Sequence, residues 1–224
     1  PAWSSPHQAI AALRSSWLAP TDALMLDHRI AGPTTRFDLI GEGISWLGPR
    51  WRLTNENESE AARFTVAKPR AAVNTSTGDH VEWAYRSDGV AHSRSATLLR
   101  DRRLAILAEQ IDGPAILDFA WETRITTAPG VEIEPIPESR GLGLKMPRSR
   151  KNAQVIPLAL LALDYETDRG SFQFHQEEGE LALRLAVKAK RAWMPIVVSW
   201  DPMRHRKILS WRTLTISEAG KVCP

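Results

Sequence analysis

The stretch HSRSATLLRDRRLAILAEQIDG, His92 to Gly113, decides how this chain is read. It divides into two short strand-like runs, HSRSATLLR and RLAILAEQI, that meet at Asp101 and Arg102. Two such runs with a polar turn between them predict a β-hairpin. Side chains alternate across a strand, so His92, Arg94, Ala96, Leu98 and Arg100 share one face while Ser93, Ser95, Thr97 and Leu99 share the other. Four arginines and a histidine therefore crowd one strand and its turn. They are either a site for an acidic ligand or the wet face of a sheet.

Outward from the hairpin the same texture continues in both directions. ALMLDHRI, TRFDLI, ISWLGPRWRL, ARFTVA and HVEWAYR precede it; AILDFAWETRIT, VEIEPI, QVIPLALLAL, SFQFHQ, ELALRLAVKA, WMPIVVSW and KILSWRTLTIS follow. Many short strands at roughly ten-residue spacing, without amphipathic helices between them, predict an all-β fold with antiparallel sheets packed as a sandwich. In ELALRLAVKA, Leu181, Leu183, Leu185 and Val187 face one way and Arg184 the other, as a half-buried strand requires. Pro157 is expected at an edge or a bulge, because proline cannot donate to the ladder. One helix is expected, at the N-terminus: Ser5 as cap, Pro6 at the first helical position, Ile10, Leu13 and Trp17 at helical spacing, and Pro20 as the stop. Residues 1–20 thus read as a helical segment and 21–224 as one β-sandwich domain.

The composition sets bounds on function. A chain of 224 residues with 43% hydrophobic and 25% charged residues is ordinary for a globular domain. A net charge of +3 tilts it mildly toward anionic partners, and no nucleic-acid partner is expected. Cys223 is the single cysteine, so no intramolecular disulfide and no thiolate-rich metal site can form. No apolar run is long enough to cross a bilayer as a helix. Beginning at Pro1, the chain reads as a mature product or a piece of something longer. There is no phosphate-binding P-loop, Rossmann glycine fingerprint, G-x-S-x-G elbow or H-E-x-x-H pair. The fragments GEG at Gly41 and GLG at Gly141 read as turns.

Several residues carry chemistry and have a plainer reading beside it. Asp27 with His28, Asp79 with His80, and His175 with Glu177 bring carboxylate and imidazole together; a metal site is one reading and surface histidines in turns the favoured one. The sequence names neither a metal nor a cofactor. Nine tryptophans, among them Trp46, Trp51, Trp83, Trp121, Trp193, Trp200 and Trp211, could fill a core; an exposed pair would suit a glycan groove. Tyr85 is able to give or accept a proton. The pair His92 and Arg94 is the most suggestive. A guanidinium that neutralises a uronate carboxylate makes the adjacent C–H more acidic, and a neutral imidazole beside it can take the proton. Arg100, Arg102 and Arg103, at the turn, are expected to be solvated.

The segments ALMLDHRIAGPTTRFDLIGEGISWLGPRW, VEWAYRSDGVAHSRSATLLRDRRLAILAEQIDG, VIPLALLAL and SWRTLTIS resemble the β-sandwich region of heparinase II/III-like proteins. The likeness runs from about Asp22 to Ile216 through diffuse motifs. His92 and Arg94 match that family's histidine-and-arginine strand, and Leu104 to Asp112 its partner. The resemblance implies a supersandwich-like sheet, a preceding helical toroid in the same protein, eliminative cleavage of acidic polysaccharides, and a bacterial periplasmic or envelope location. It implies His92 as a catalytic residue, with Arg94 and Tyr85 against the substrate. The toroid, which supplies the family's catalytic tyrosine, is missing except for a helix expected from Pro6 to Leu18. The family's metal-binding histidines do not map here.

Overall fold

A computed structural model describes residues 3–5, 9–16, 18, 21–29, 34–55, 65, 67–87, 89–136, 141–147, 149–158, 165–167, 170–202, 216–218 and 221–223. In chain order the strands are β1 (Trp3–Ser5), β2 (Ile10–Arg14), β3 (Ala23–Asp27), β4 (Thr34–Gly41), β5 (Ile44–Asn55), β6 (Lys68–Asn74), β7 (Gly78–Ser87), β8 (Val90–Leu99) and β9 (Leu104–Thr127). They continue with β10 (Glu132–Pro135), β11 (Leu142–Lys145), β12 (Asn152–Pro157), β13 (Tyr165–Thr167), β14 (Gly170–Glu177), β15 (Glu180–Ser199), β16 (Ile216–Glu218) and β17 (Lys221–Cys223). The all-β expectation holds, and every pairing is antiparallel.

Two expectations are corrected. The N-terminal helix is absent: Ile10–Arg14 is β2, lying between β1 and β3, with Leu13 opposite Leu24 and Ala11 opposite Leu26. Ala11 and Leu13 are fully buried. The run IAALR fits period two as well as it fits a helix, and a free edge on β3 rewards the strand with backbone hydrogen bonds and burial that a short isolated helix lacks. Pro6, Trp17 and Pro20, which framed the expected helix, lie outside the described residues.

The second correction concerns the layers. In place of a sandwich of separate sheets, fifteen strands form one hydrogen-bonded sheet that curls nearly closed, closer to a barrel. The physical reason lies in two long strands. RLAILAEQI and AILDFAWETRIT are joined in the 24-residue β9, and ELALRLAVKA and WMPIVVSW in the 20-residue β15. β9 runs unbroken through Gly113 and Pro114, where its pairing with β15 shifts register, from Asp112 opposite Arg191 to Leu117 opposite Ala189. Along these two strands the sheet forks into two leaves. The first runs β1-β2-β3-β4-β5, then the C-terminal half of β9, the N-terminal half of β15, β14 and β13; the second runs β6-β7-β8, then the other halves of β9 and β15, β12, β11 and β10.

The core fills the space between the leaves, and five tryptophans (Trp46, Trp51, Trp83, Trp121, Trp200) are buried in it. Packing is close enough at Gly41 that a Cβ there would meet the Trp200 ring at 2.5 Å. The fragment GEG is a turn, as expected: Glu42 and Gly43 both have positive φ and join β4 to β5 as a two-residue hairpin loop. GLG instead enters β11. Pro157 closes β12 beyond the end of β11, so only β15 pairs there, which is the edge position expected of it. Most of ARFTVA, and KILSWRTLTIS before Ile216, fall outside the described residues. No helix among the described residues is long and apolar enough to cross a membrane.

Candidate functional site

The hairpin forms as the sequence predicts. Arg100–Arg102 make a single 3-10 turn, Arg103 takes a left-handed conformation, and β8 runs back along β9. That register places Arg94 opposite Glu109 and His92 opposite Ile111, while β7 on the other side sets Tyr85 opposite His92 and Trp83 opposite Arg94. His92, Arg94 and Tyr85 are thus brought together on one face. That face is the inner one, and the three are 2%, 1% and 3% exposed.

Each lies in a dense set of contacts. Arg94 forms an ion pair with Glu109: Nε donates to Oε1 at 2.7 Å, and Nη2 donates to the same oxygen. Its Nη1 donates across the core to the first leaf, to Thr35 Oγ1 at 2.5 Å and to the Trp51 carbonyl at 3.0 Å. The guanidinium carbon lies 4.5 Å from the Trp51 ring centroid, a cation–π distance. The Trp51 indole donates to Thr123 Oγ1 at 2.9 Å. Tyr85 donates to Glu109 Oε2 over a long 3.4 Å and stacks on His92 with ring centroids 5.0 Å apart, while Trp121 meets His92 edge-on at 4.8 Å. His28 stacks on Trp83 at 4.4 Å, with Nδ1 2.9 Å from Thr35 Oγ1. The Thr35 hydroxyl oxygen, which accepts from Arg94, thereby also joins His28 to the cluster.

Electrostatics follow from burial. Desolvation, and then the Arg94 charge, lower the His28 imidazole to about 3 and the His92 imidazole to about 4. Both are neutral near pH 7. Burial, helped by Glu109, pushes the Tyr85 phenol up. Burial also pushes the Glu109 carboxyl up, and the Arg94 guanidinium opposes it by favouring the carboxylate. In sum the cluster places one cation on one carboxylate, between two neutral imidazoles.

Glu109 and Thr35 were missed in reading the sequence. A signal for Glu109 was present: once a turn is placed at Arg100–Arg102, counting back along both strands sets the one carboxylate of an otherwise apolar run directly across from Arg94. Nothing local marks Thr35, which is 59 residues away. Of the other expected pairings of carboxylate and imidazole, His175 with Glu177 forms, whereas Asp79 and His80 turn to other partners. His80 meets Thr97 at 2.9 Å; Asp79 is buried against Arg100 at 2.5 Å; His175 reaches Glu177 at 2.9 Å on the outer face. Among the described residues no group of three or more His, Cys, Asp or Glu is placed to hold a metal ion. The turn arginines divide: Arg100 is tied to Asp79 and the Thr75 carbonyl, Arg103 pairs with Glu42, and Arg102 is exposed. A cavity of about 600 Å³ opens beside Arg50, Arg124 and Glu178, where Arg124 contacts Glu122, Glu177 and, at 3.6 Å, Glu180.

With this geometry in hand, solved structures supply the comparison. Heparan sulfate lyase HepC from Pedobacter heparinus superposes with a TM-score of 0.63 at 12% identity, over 88% of this chain and 36% of the lyase. A mutant of that enzyme gives 0.64 at 13% identity, over 86% and 35%. A crystal structure of heparinase III gives 0.62 at 12% identity, again over 86% and 35%. The chain has a heparinase III-like fold. It spans about a third of the length of these lyases. No protein-family profile and no curated protein matches the sequence. In this chain the His92 and Arg94 side chains of β8 are turned into the core.

Proposed function

We propose that this chain is the β-domain of a heparinase III-like protein that binds acidic, uronate-containing polysaccharide, and that it serves eliminative cleavage by a longer protein as scaffold and binding surface. The fold likeness over 86% of the chain carries this reading. Burial decides the division of labour. A base must reach within hydrogen-bonding distance of the proton it removes. His92, at 2% exposure between Tyr85 and Trp121, does not meet a polymer in this state. Arg94 already contacts Glu109, Thr35 and the Trp51 carbonyl. In this reading the three residues set the shape of the domain, and the acid and base come from the other two-thirds of a lyase-length protein.

A second reading keeps His92 as the base, with Arg94 and Tyr85 against substrate, and is favoured by how closely the three stand together. It requires the leaves to part. One experiment separates the two. Ultraviolet absorbance of unsaturated uronate is followed for the longer natural protein with heparan sulfate, alginate and other uronate polymers, alongside thermal unfolding of its His92→Ala variant. Lost turnover at unchanged stability supports the base. Turnover that falls only as stability falls supports the scaffold. No unsaturated uronate from any polymer removes the lyase reading altogether.

A further inference from the structure

The outer side of the same leaf has a different character. The row next to His92 and Tyr85, one residue along each strand, runs Trp193 (β15), Gln110 (β9), Ser93 (β8) and Ala84 (β7), all directly opposed and hence on one face. Four strands at about 4.8 Å spacing make this row about 14 Å long. Its floor is short: Ser93 and Ala84 barely rise above the backbone. Trp193 stands at one end, 55% exposed, in contrast to the five core tryptophans.

A single exposed apolar side chain needs no explanation. Its surroundings make this one informative. The adjoining row along the strands holds Arg86 and Arg191, both exposed, and Lys68 on β6 sits opposite Ala84 at the far end. Asp112 accepts from Arg191 Nε at 3.0 Å, and in the row on the other side Glu82 accepts from Arg70 Nη1 at 3.0 Å, so among the described residues of these rows the cations exceed the carboxylates by two, Arg86 and Lys68. An indole face offers stacking to the C–H side of a sugar ring. A floor of short side chains, Ser93 at 6% exposure and Ala84, lets a chain lie flat, and surplus positive charge favours an anionic polymer.

We infer that the Trp193–Gln110–Ser93–Ala84 trough is a binding subsite for an acidic oligosaccharide, with Trp193 stacking on a sugar ring and Arg86 facing its carboxylate or sulfate groups. The inference rests on the glycan-binding reading proposed above and goes further by assigning the face. Its test uses the 224-residue chain in isothermal titration with heparan sulfate oligosaccharides, alginate oligosaccharides and a neutral β-glucan oligosaccharide. Trp193→Ala is expected to weaken acidic-glycan binding roughly tenfold, and Trp193→Phe much less. Arg86→Glu, at an exposed position, is expected to weaken the acidic ligands at unchanged circular dichroism and to leave the neutral glucan unaffected. Acidic-glycan binding that survives both Trp193→Ala and Arg86→Glu overturns the subsite and leaves the wider reading standing. No binding of either acidic ligand by the unsubstituted chain overturns both. Equal affinity for the neutral glucan overturns the acidic class. If Trp193→Ala changes only the stability of the longer natural protein, the face is a domain contact and the inference fails.

Discussion

Two faces of one leaf, separated by a single residue step along each strand, differ in a way that runs against polarity. The inner face of β7, β8, β9 and β15 carries Tyr85, His92, Arg94 and Glu109 in the core; the outer face carries Ala84, Ser93, Gln110 and an exposed Trp193. A cation, a carboxylate and an imidazole are buried in the core, while one indole, Trp193, stands exposed on the outer side. Residue type alone does not assign a face in a sheet. Alternation says which residues go together, and what waits on the other side decides which set goes in. Arg94 is inside because Glu109, Thr35 and the Trp51 carbonyl meet its donors there.

Four perturbations should act unequally on the two faces, the largest effect first. Glu109→Ala leaves the Arg94 charge buried without its carboxylate, and should cost about 3–5 kcal/mol in urea unfolding. Replacing both partners with apolar residues, as in R94M with E109L, should cost distinctly less, since no uncompensated charge remains. If the double variant is as unstable as the single one, the ion pair does more than satisfy itself.

Acid should come next. Both core imidazoles have folded values below the ordinary 6.5, so the unfolded chain takes up their protons first. Their contribution is complete above pH 6.5 and is lost as the pH falls toward about 4 for His92 and about 3 for His28. By pH 5, still above the ordinary carboxylate range, the loss is roughly 2 kcal/mol per imidazole. Urea midpoints measured between pH 7.5 and 5 check this, and His92→Phe should flatten the slope by about its own share. A smaller effect is expected from Tyr85→Phe, about 1 kcal/mol, because its bond to Glu109 is long. On the outer face, Trp193→Ala should move stability by no more than about 0.5 kcal/mol, read as an unchanged midpoint in thermal melts.

Much of the strand pattern was legible because alternation and turn residues are local. TRFDLI, HVEWAYR and SFQFHQ fall within β4, β7 and β14 with little adjustment, and the hairpin turn stands at Arg100–Arg102. The tryptophans sorted as apolar bulk should: Trp46, Trp51, Trp83, Trp121 and Trp200 are core. Two things were not local. Ile10–Arg14 is too short for its period to discriminate, and pairing with β3 made it a strand. The shared face of His92 and Arg94 was legible; its direction was not, because Thr35 and Trp51, which accept from the guanidinium, come from strands far earlier in the chain. A histidine and an arginine side by side read as wet until the layer that covers them is known.

The two long strands have a practical consequence for anyone dividing this chain. Each leaf borrows half of β9 and half of β15, so neither leaf corresponds to a continuous length of gene. A cut at Gly113 would leave both leaves without a central strand half. The molecule should therefore melt in one step, and a nick at Gly113 in β9 should loosen the far edges of both leaves together.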